Sequence, residues 1–187
     1  MGFWDTITGR SKPVAPKMDG LFALPAAAIT LQVSTGFTMT GRGAICFRAA
    51  EGPAFAQTLK DTVALLDNDD DPDVEIIEDQ YGFTWLLARQ DDMGALATDL
   101  HAVTTSLEAQ GFSHAVLCTL VSFTDPAGRS LGLVYLYKQG TFYPFAPTAG
   151  QRRDNLLEIQ VRDLLSTDLP IEKDVSRWMA LWGAPGL

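Results

Sequence analysis

The amino-acid sequence predicts an α+β fold: a mostly antiparallel sheet of hairpins with helices packed on one side, in a layout similar to secretion-chaperone folds. Three observations predict it. Strand-like alternation recurs in short runs, most clearly over residues 131–138. Apolar residues spaced three and four apart mark helices between those runs. Glycine, proline and aspartate stand at the joins, where tight turns need them.

Residues 1–18 read as an arm and linker, and residues 19–187 as a single domain. In the arm, Phe3, Trp4 and Ile7 share one face of a short helix, and Pro13 and Pro16 stiffen the linker behind it. Asp19 suits the cap of a first turn, Pro25 the start of a helix and Gly36 its end. A strand over 29–33 competes, because that run also alternates. Residues 37–40 and 44–48 read as two strands joined by a turn at Gly41-Arg-Gly43. Phe55, Leu59, Val63 and Leu66 place a helix over 53–66.

Strands come next at 74–77 and 83–88, joined through Tyr81-Gly82. Met93, Leu96, Leu100, Val103 and Leu107 then mark a long helix that ends before Gly111. Residues 116–123 form the next strand, and Asp125-Pro-Ala-Gly128 turns the chain into the hairpin of 131–143. There Leu131, Leu133, Tyr135 and Tyr137 fall on one side, and Val134, Leu136 and Lys138 on the other. Gln139-Gly140 reverses the chain, and Pro144 and Pro147 end the second strand. A last helix covers 151–165, with Leu157, Val161, Leu164 and Leu165 inward. The remaining tail carries Trp178 and Trp182.

With 47% hydrophobic residues in 187, the chain can bury a sizeable core. No apolar run approaches the ~20 residues that span a bilayer, and the N-terminus lacks the pattern of a secretory signal. The net charge is −9, and residues 67–79 supply eight negative charges with no base among them. An acidic chain without a basic stripe does not suit nucleic acid. Cys46 and Cys118 lie in apolar strand contexts and read as buried free thiols of a reducing compartment, with a disulfide or reactive pair as the alternative.

No catalytic residues, metal ligands or cofactor site are assigned. Asp67, Asp69, Asp71, Asp73, Glu75 and Glu78 fall on the ligand positions of a calcium loop, but Pro72 occupies the position that needs glycine. His101 and His114 lack a close metal-ligand partner. A dyad of His114 and Cys118 on a regular strand would be ~13 Å apart. Candidate partner-binding residues are Tyr137, Phe142, Tyr143 and Phe145, with Arg152 and Arg153 beside them. Aromatic and arginine side chains dominate binding hot spots, and two arginines near a helix N-terminus oppose its dipole. Phe3, Trp4 and Ile7 form a candidate membrane- or partner-docking arm. Two alternatives stand beside this one. The first is a small-molecule-binding or hydrolytic enzyme with a pocket near His101 and Cys118, drawing also on His114 and Asp99. The second is a secretion-chaperone-like dimer.

A set of short motifs spans the chain: Met1-Gly-Phe-Trp-Asp5, Phe22-Ala-Leu-Pro25, Cys46-Phe47, Asp99-Leu-His-Ala-Val103, Tyr135-Leu-Tyr-Lys138, Thr141-Phe-Tyr-Pro-Phe-Ala-Pro147, Arg153-Asp-Asn155 and Trp182-Gly-Ala-Pro-Gly-Leu187. Together they resemble the PspA-associated PspAB family of actinobacteria and some archaea. The resemblance implies a non-enzymatic part in the phage-shock response, where PspA, a coiled-coil membrane-remodelling protein, protects the cell envelope. It implies PspA or another envelope-stress protein as partner, with an HtpX-type membrane protease as a neighbour. The expected location is cytoplasmic, with peripheral contact at the inner face of the membrane at most.

Overall fold

The computed structural model describes residue 17 and residues 19–48, 52–67 and 74–187. The chain is α+β, with four α-helices and a six-stranded antiparallel sheet among the described residues. The helices are α1 (Leu24–Thr35), α2 (Pro53–Leu66), α3 (Met93–Ala109) and α4 (Asn155–Leu165). The sheet strands are β1 (Thr38–Phe47), β2 (Glu75–Glu78), β3 (Thr84–Arg89), β4 (Val116–Thr124), β5 (Ser130–Leu136) and β6 (Thr141–Phe145), in the order β2-β3-β1-β4-β5-β6. A small second sheet pairs β7 (Pro147–Thr148) with β8 (Arg152–Arg153).

Pleating sends alternate side chains to opposite faces, and both faces of this sheet are covered. Ile45, Phe47, Leu86, Val121, Leu133, Tyr135 and Phe142 face the helices. Ala44, Cys46, Trp85, Leu87, Cys118, Leu120, Val134, Tyr143 and Phe145 form a second apolar cluster on the other face. The helices of the large cluster do not cover that second face. Trp178, Leu181, Trp182, Ala184 and Leu187 of the C-terminal tail pack there instead.

The expected turn at Gly41-Arg-Gly43 is not a reversal. Residues 38–47 are one strand, kinked by a register shift between Met39 and Gly43 against β4. Gly41 has φ +74°, and positive φ serves a bulge as readily as a turn. Gly43 has a different task. A Cβ there would lie 2.8 Å from Leu100 Cδ1 and 3.1 Å from Leu96 Cδ1, so its absence lets α3 sit close to the sheet. The competing strand over 29–33 is likewise absent, because those residues continue α1 up to its cap at Gly36.

Pro144 does not end β6. It pairs with Leu133 inside the strand, on the last strand of the sheet order, where a missing N–H costs no ladder bond. The two arginines are not in the last helix either. They form β8, and α4 begins after Asp154, whose side chain accepts from the Leu157 N–H as an N-cap. Their position therefore does not oppose the α4 dipole from within its first turn.

Gly43→Val is expected to overpack the seam between α3 and the sheet, lowering stability by about 1–3 kcal/mol. A fall in the urea midpoint at unchanged m-value would register it, and an unchanged midpoint would show that Leu96 and Leu100 yield freely.

Candidate functional site

The aromatic residues of the final hairpin all have structural occupations. Tyr137, Phe142, Tyr143 and Phe145 are buried, which corrects the expectation that their rings are presented to a partner. The reason is the doubly covered sheet. On the helix side, Tyr137 shares a 2.6 Å hydrogen bond with the Thr119 hydroxyl, and Phe142 packs 4.6 Å from the Tyr135 ring. On the tail side, Tyr143 stacks on Trp178 with ring centroids 5.9 Å apart and donates its hydroxyl to the Met179 carbonyl at 3.0 Å. Phe145 meets Trp182 edge to face at 5.1 Å. Burial pushes the Tyr135 phenol up to about 12, with Asp19 adding to the shift, and drives those of Tyr137 and Tyr143 well above the ordinary range.

Arg153 joins three parts of the chain. Its Nε donates to both carboxylate oxygens of Glu158, at 2.8 and 3.1 Å. Nη1 donates to the Trp178 carbonyl at 2.6 Å, and the guanidinium lies 5.2 Å above the Phe145 ring. Glu158 in turn accepts the Ala146 backbone N–H at 2.9 Å. One guanidinium thus fastens α4, the end of β6 and the tail, using the planar fork that arginine alone supplies. Arg153 is committed to the fold. Arg152 is exposed, its Nε donating to the Ala149 carbonyl at 3.3 Å.

The tail has a second anchor. Phe142 donates its N–H to the Pro170 carbonyl, and its own carbonyl accepts from the Glu172 N–H, so the chain bridges β6 at Ile171. The buried Glu172 carboxylate accepts from Thr141, the Asp174 N–H and, at 3.5 Å, Arg177. Burial alone would raise its pKa. The Asp174 N–H, the Thr141 hydroxyl and Arg177 together outweigh it and hold the group below its ordinary value of 4.5.

The residues of the enzyme alternative do not converge. Cys118 lies on the tail side of the sheet beside Cys46, its strand partner. His101 is on α3 in the helix layer, with Nε2 3.2 Å from Asp19 and its ring 4.9 Å from Phe22. Asp99 accepts from the Gln90 side chain, and His114 lies in the short helical turn ahead of β4. The expected pocket uniting His101 with Cys118 is therefore not formed, since the sheet separates them. Both cysteines are free and buried. The Cys46 thiol beside it and burial together push the Cys118 thiol upward, away from the reactive thiolate. No group of three or more His, Cys, Asp or Glu side chains gathers among the described residues. The calcium-loop frame falls largely outside them. Asp67 at its start accepts the Val74 N–H at 2.7 Å. The arm residues Phe3, Trp4 and Ile7 also lie outside the described residues.

A further surface is absent from the sequence-predicted candidates. Leu24, Ala27 and Leu31 bury the inner side of α1. At 3.6 residues per turn, Ala26, Ile29 and Val33 lie on the opposite side. Ile29 is 64% exposed and Val33 82% exposed, and Phe22 just ahead of the helix is 50% exposed. No charged residue occurs between Gly20 and Gly41. The outer side of α1 is thus an uncharged apolar stripe facing solvent, where surface helices ordinarily carry charge. The spacing 26, 29, 33 is the signal that could have found it. Among the described residues no helix is long and apolar enough to cross a membrane.

A family model described as PspA associated protein B matches residues 1–186. No curated protein and no solved structure matches the chain.

Removing either partner of the Arg153–Glu158 pair, as Arg153→Ala or Glu158→Ala, is expected to cost about 3–5 kcal/mol, because the remaining charge stays buried. A double-mutant cycle in urea should show coupling between them, and additive losses would deny it. Glu172 contributes to the acid response. Its folded pKa is depressed, so its stabilisation is full above about pH 4.5 and is lost as pH falls through the lower folded value. Stability of Glu172→Gln should therefore fall less steeply below pH 4.5 than that of the parent. Equal slopes would contradict the assignment.

Proposed function

Because the chain belongs to the PspA associated protein B family, we propose that it is a non-catalytic adaptor of a PspA-type envelope-stress, or phage-shock, response, acting in the cytoplasm by binding protein. The observation that carries the binding role is the outer stripe of α1. A solvated helix gains nothing from Ala26, Ile29 and Val33 in a row, whereas a partner helix or groove does. Burying a Val or Ile side chain contributes about 1.5–3 kcal/mol. Because the stripe lacks charge, a partner that covers it leaves no ion unpaired. PspA is the partner named by the family, and its coiled-coil character suits helix-on-helix docking. Another envelope-stress protein, including an HtpX-type membrane protease, would use the same contact. Arg152 is exposed on the short second sheet, and an exposed arginine steers encounter with a partner more than it adds affinity.

Purified PspA captured on immobilised chain tests this reading. Ile29→Glu with Val33→Glu should weaken capture at least tenfold while leaving the far-UV circular dichroism and thermal midpoint unchanged, since both side chains project to solvent. Undiminished capture by that variant would remove α1 from the interface, and no capture by the parent chain would remove PspA as direct partner.

A further inference from the structure

The tail does not fill the sheet face that it covers. A cavity of about 270 Å³ remains between them, lined by Cys46, Trp85, Cys118, Leu136 and Tyr143 from the sheet and by the 179–182 segment of the tail. We propose that this cavity is a binding site for a small uncharged apolar guest, either one or two fused aromatic rings or the end of an acyl chain. The proposal is independent of the α1 docking surface, which lies on the helical side of the molecule.

Four observations carry it. First, the 179–182 segment stands off the sheet and leaves a partly open hollow on a face that is otherwise closely packed. Second, the lining is apolar and rich in rings, including Trp85, Tyr143 and Trp182. Third, two polar groups at its edge, the Asp79 carboxylate and the Tyr143 hydroxyl, are already satisfied. The Asp79 carboxylate accepts from the Trp85 indole N–H at 2.8 Å and from the Tyr81 and Phe83 backbone N–H groups. Tyr143 donates to Met179. Neither the Asp79 carboxylate nor the Tyr143 hydroxyl therefore awaits a polar ligand, which favours an apolar guest. Fourth, the covering segment around Met179 and Ala180 is outside any helix or strand, so it can part without breaking a ladder.

The cysteines explain why the hollow is there. Cys46 and Cys118 face each other across β1 and β4, and both line the cavity. Their side chains are short where the neighbouring tail-side positions carry Trp85, Leu120 and Tyr143. Each leaves space that a leucine would fill. Their soft sulfur atoms suit contact with a ring face or edge. As buried free thiols they serve as contact surface for a guest.

The same two thiols report on occupancy, because they are the only cysteines in the chain. Calorimetric titration of the full chain would use naphthalene in one arm and 1-octanol in the other, separating ring from chain as the preferred guest. Iodoacetamide labelling of the native protein would run in parallel. The expected result is saturable binding of at least one probe and labelling slowed severalfold at saturation. Ala180→Phe, which fills the cavity from the tail, should weaken binding at least tenfold and abolish the slowing, with circular dichroism unchanged. If that variant fails to fold, Leu136→Trp fills the space from the sheet side and should do the same. No saturable binding of either probe to the parent chain, or equal affinity in a folded filled variant, would overturn the proposal.

Discussion

The structure depends on the ion pair between Arg153 and Glu158. A six-stranded sheet with apolar residues on both faces needs two covers, and the helices supply only one. The other is a tail with no long element of its own, so its ordering entropy has to be offset by specific contacts. Arg153 supplies the central one, reaching Glu158, the Trp178 carbonyl and the Phe145 ring from a single side chain. The bridge at Ile171 and the stack of Trp178 on Tyr143 then hold the tail along β6. Without that fastening, Trp85, Tyr143 and Phe145 would face water.

This constraint explains which functional surfaces remain. The hairpin aromatics are consumed by the two cores, and Arg153 by the tail. Outside them stands α1, which is apolar on both sides and uncharged. The two covers also differ in character. Helices against one face give a dense core in which Gly43 admits α3. An irregular tail against the other leaves a hollow over the two thiols. The two proposed sites, the outer side of α1 and the hollow under the tail, therefore lie on opposite sides of one sheet.

The central hairpin was legible because aromatic and branched residues alternate without interruption over 131–137, and its two sets of side chains occupy opposite faces as that alternation requires. The helices were legible from their three-and-four spacing, most clearly Met93 to Leu107. Gly41 misled, because a glycine at positive φ produces a bulge within a strand as readily as a turn between two. The tail was illegible, since Trp178 and Trp182 follow no helical or strand period and their role exists only through contacts with β6. Arg153 stands out in the sequence for a conflict with a helix dipole, but it precedes the N-cap, and its role is a long-range contact that local pattern does not encode. The outer stripe of α1 is present in the spacing of Ala26, Ile29 and Val33. It is masked because the same helix also satisfies an inward apolar face.

Hydrogen exchange of the full chain tests the central claim, that the tail is one cooperative unit with the sheet. The amides of Phe142, Glu172 and Trp178 donate to Pro170, Phe142 and Val175 respectively. They should exchange with protection close to that of β4 and β5, and Arg153→Ala should release the two tail amides, Glu172 and Trp178, while β4 stays protected. Tail amides that exchange at unprotected rates in the parent chain would contradict the account.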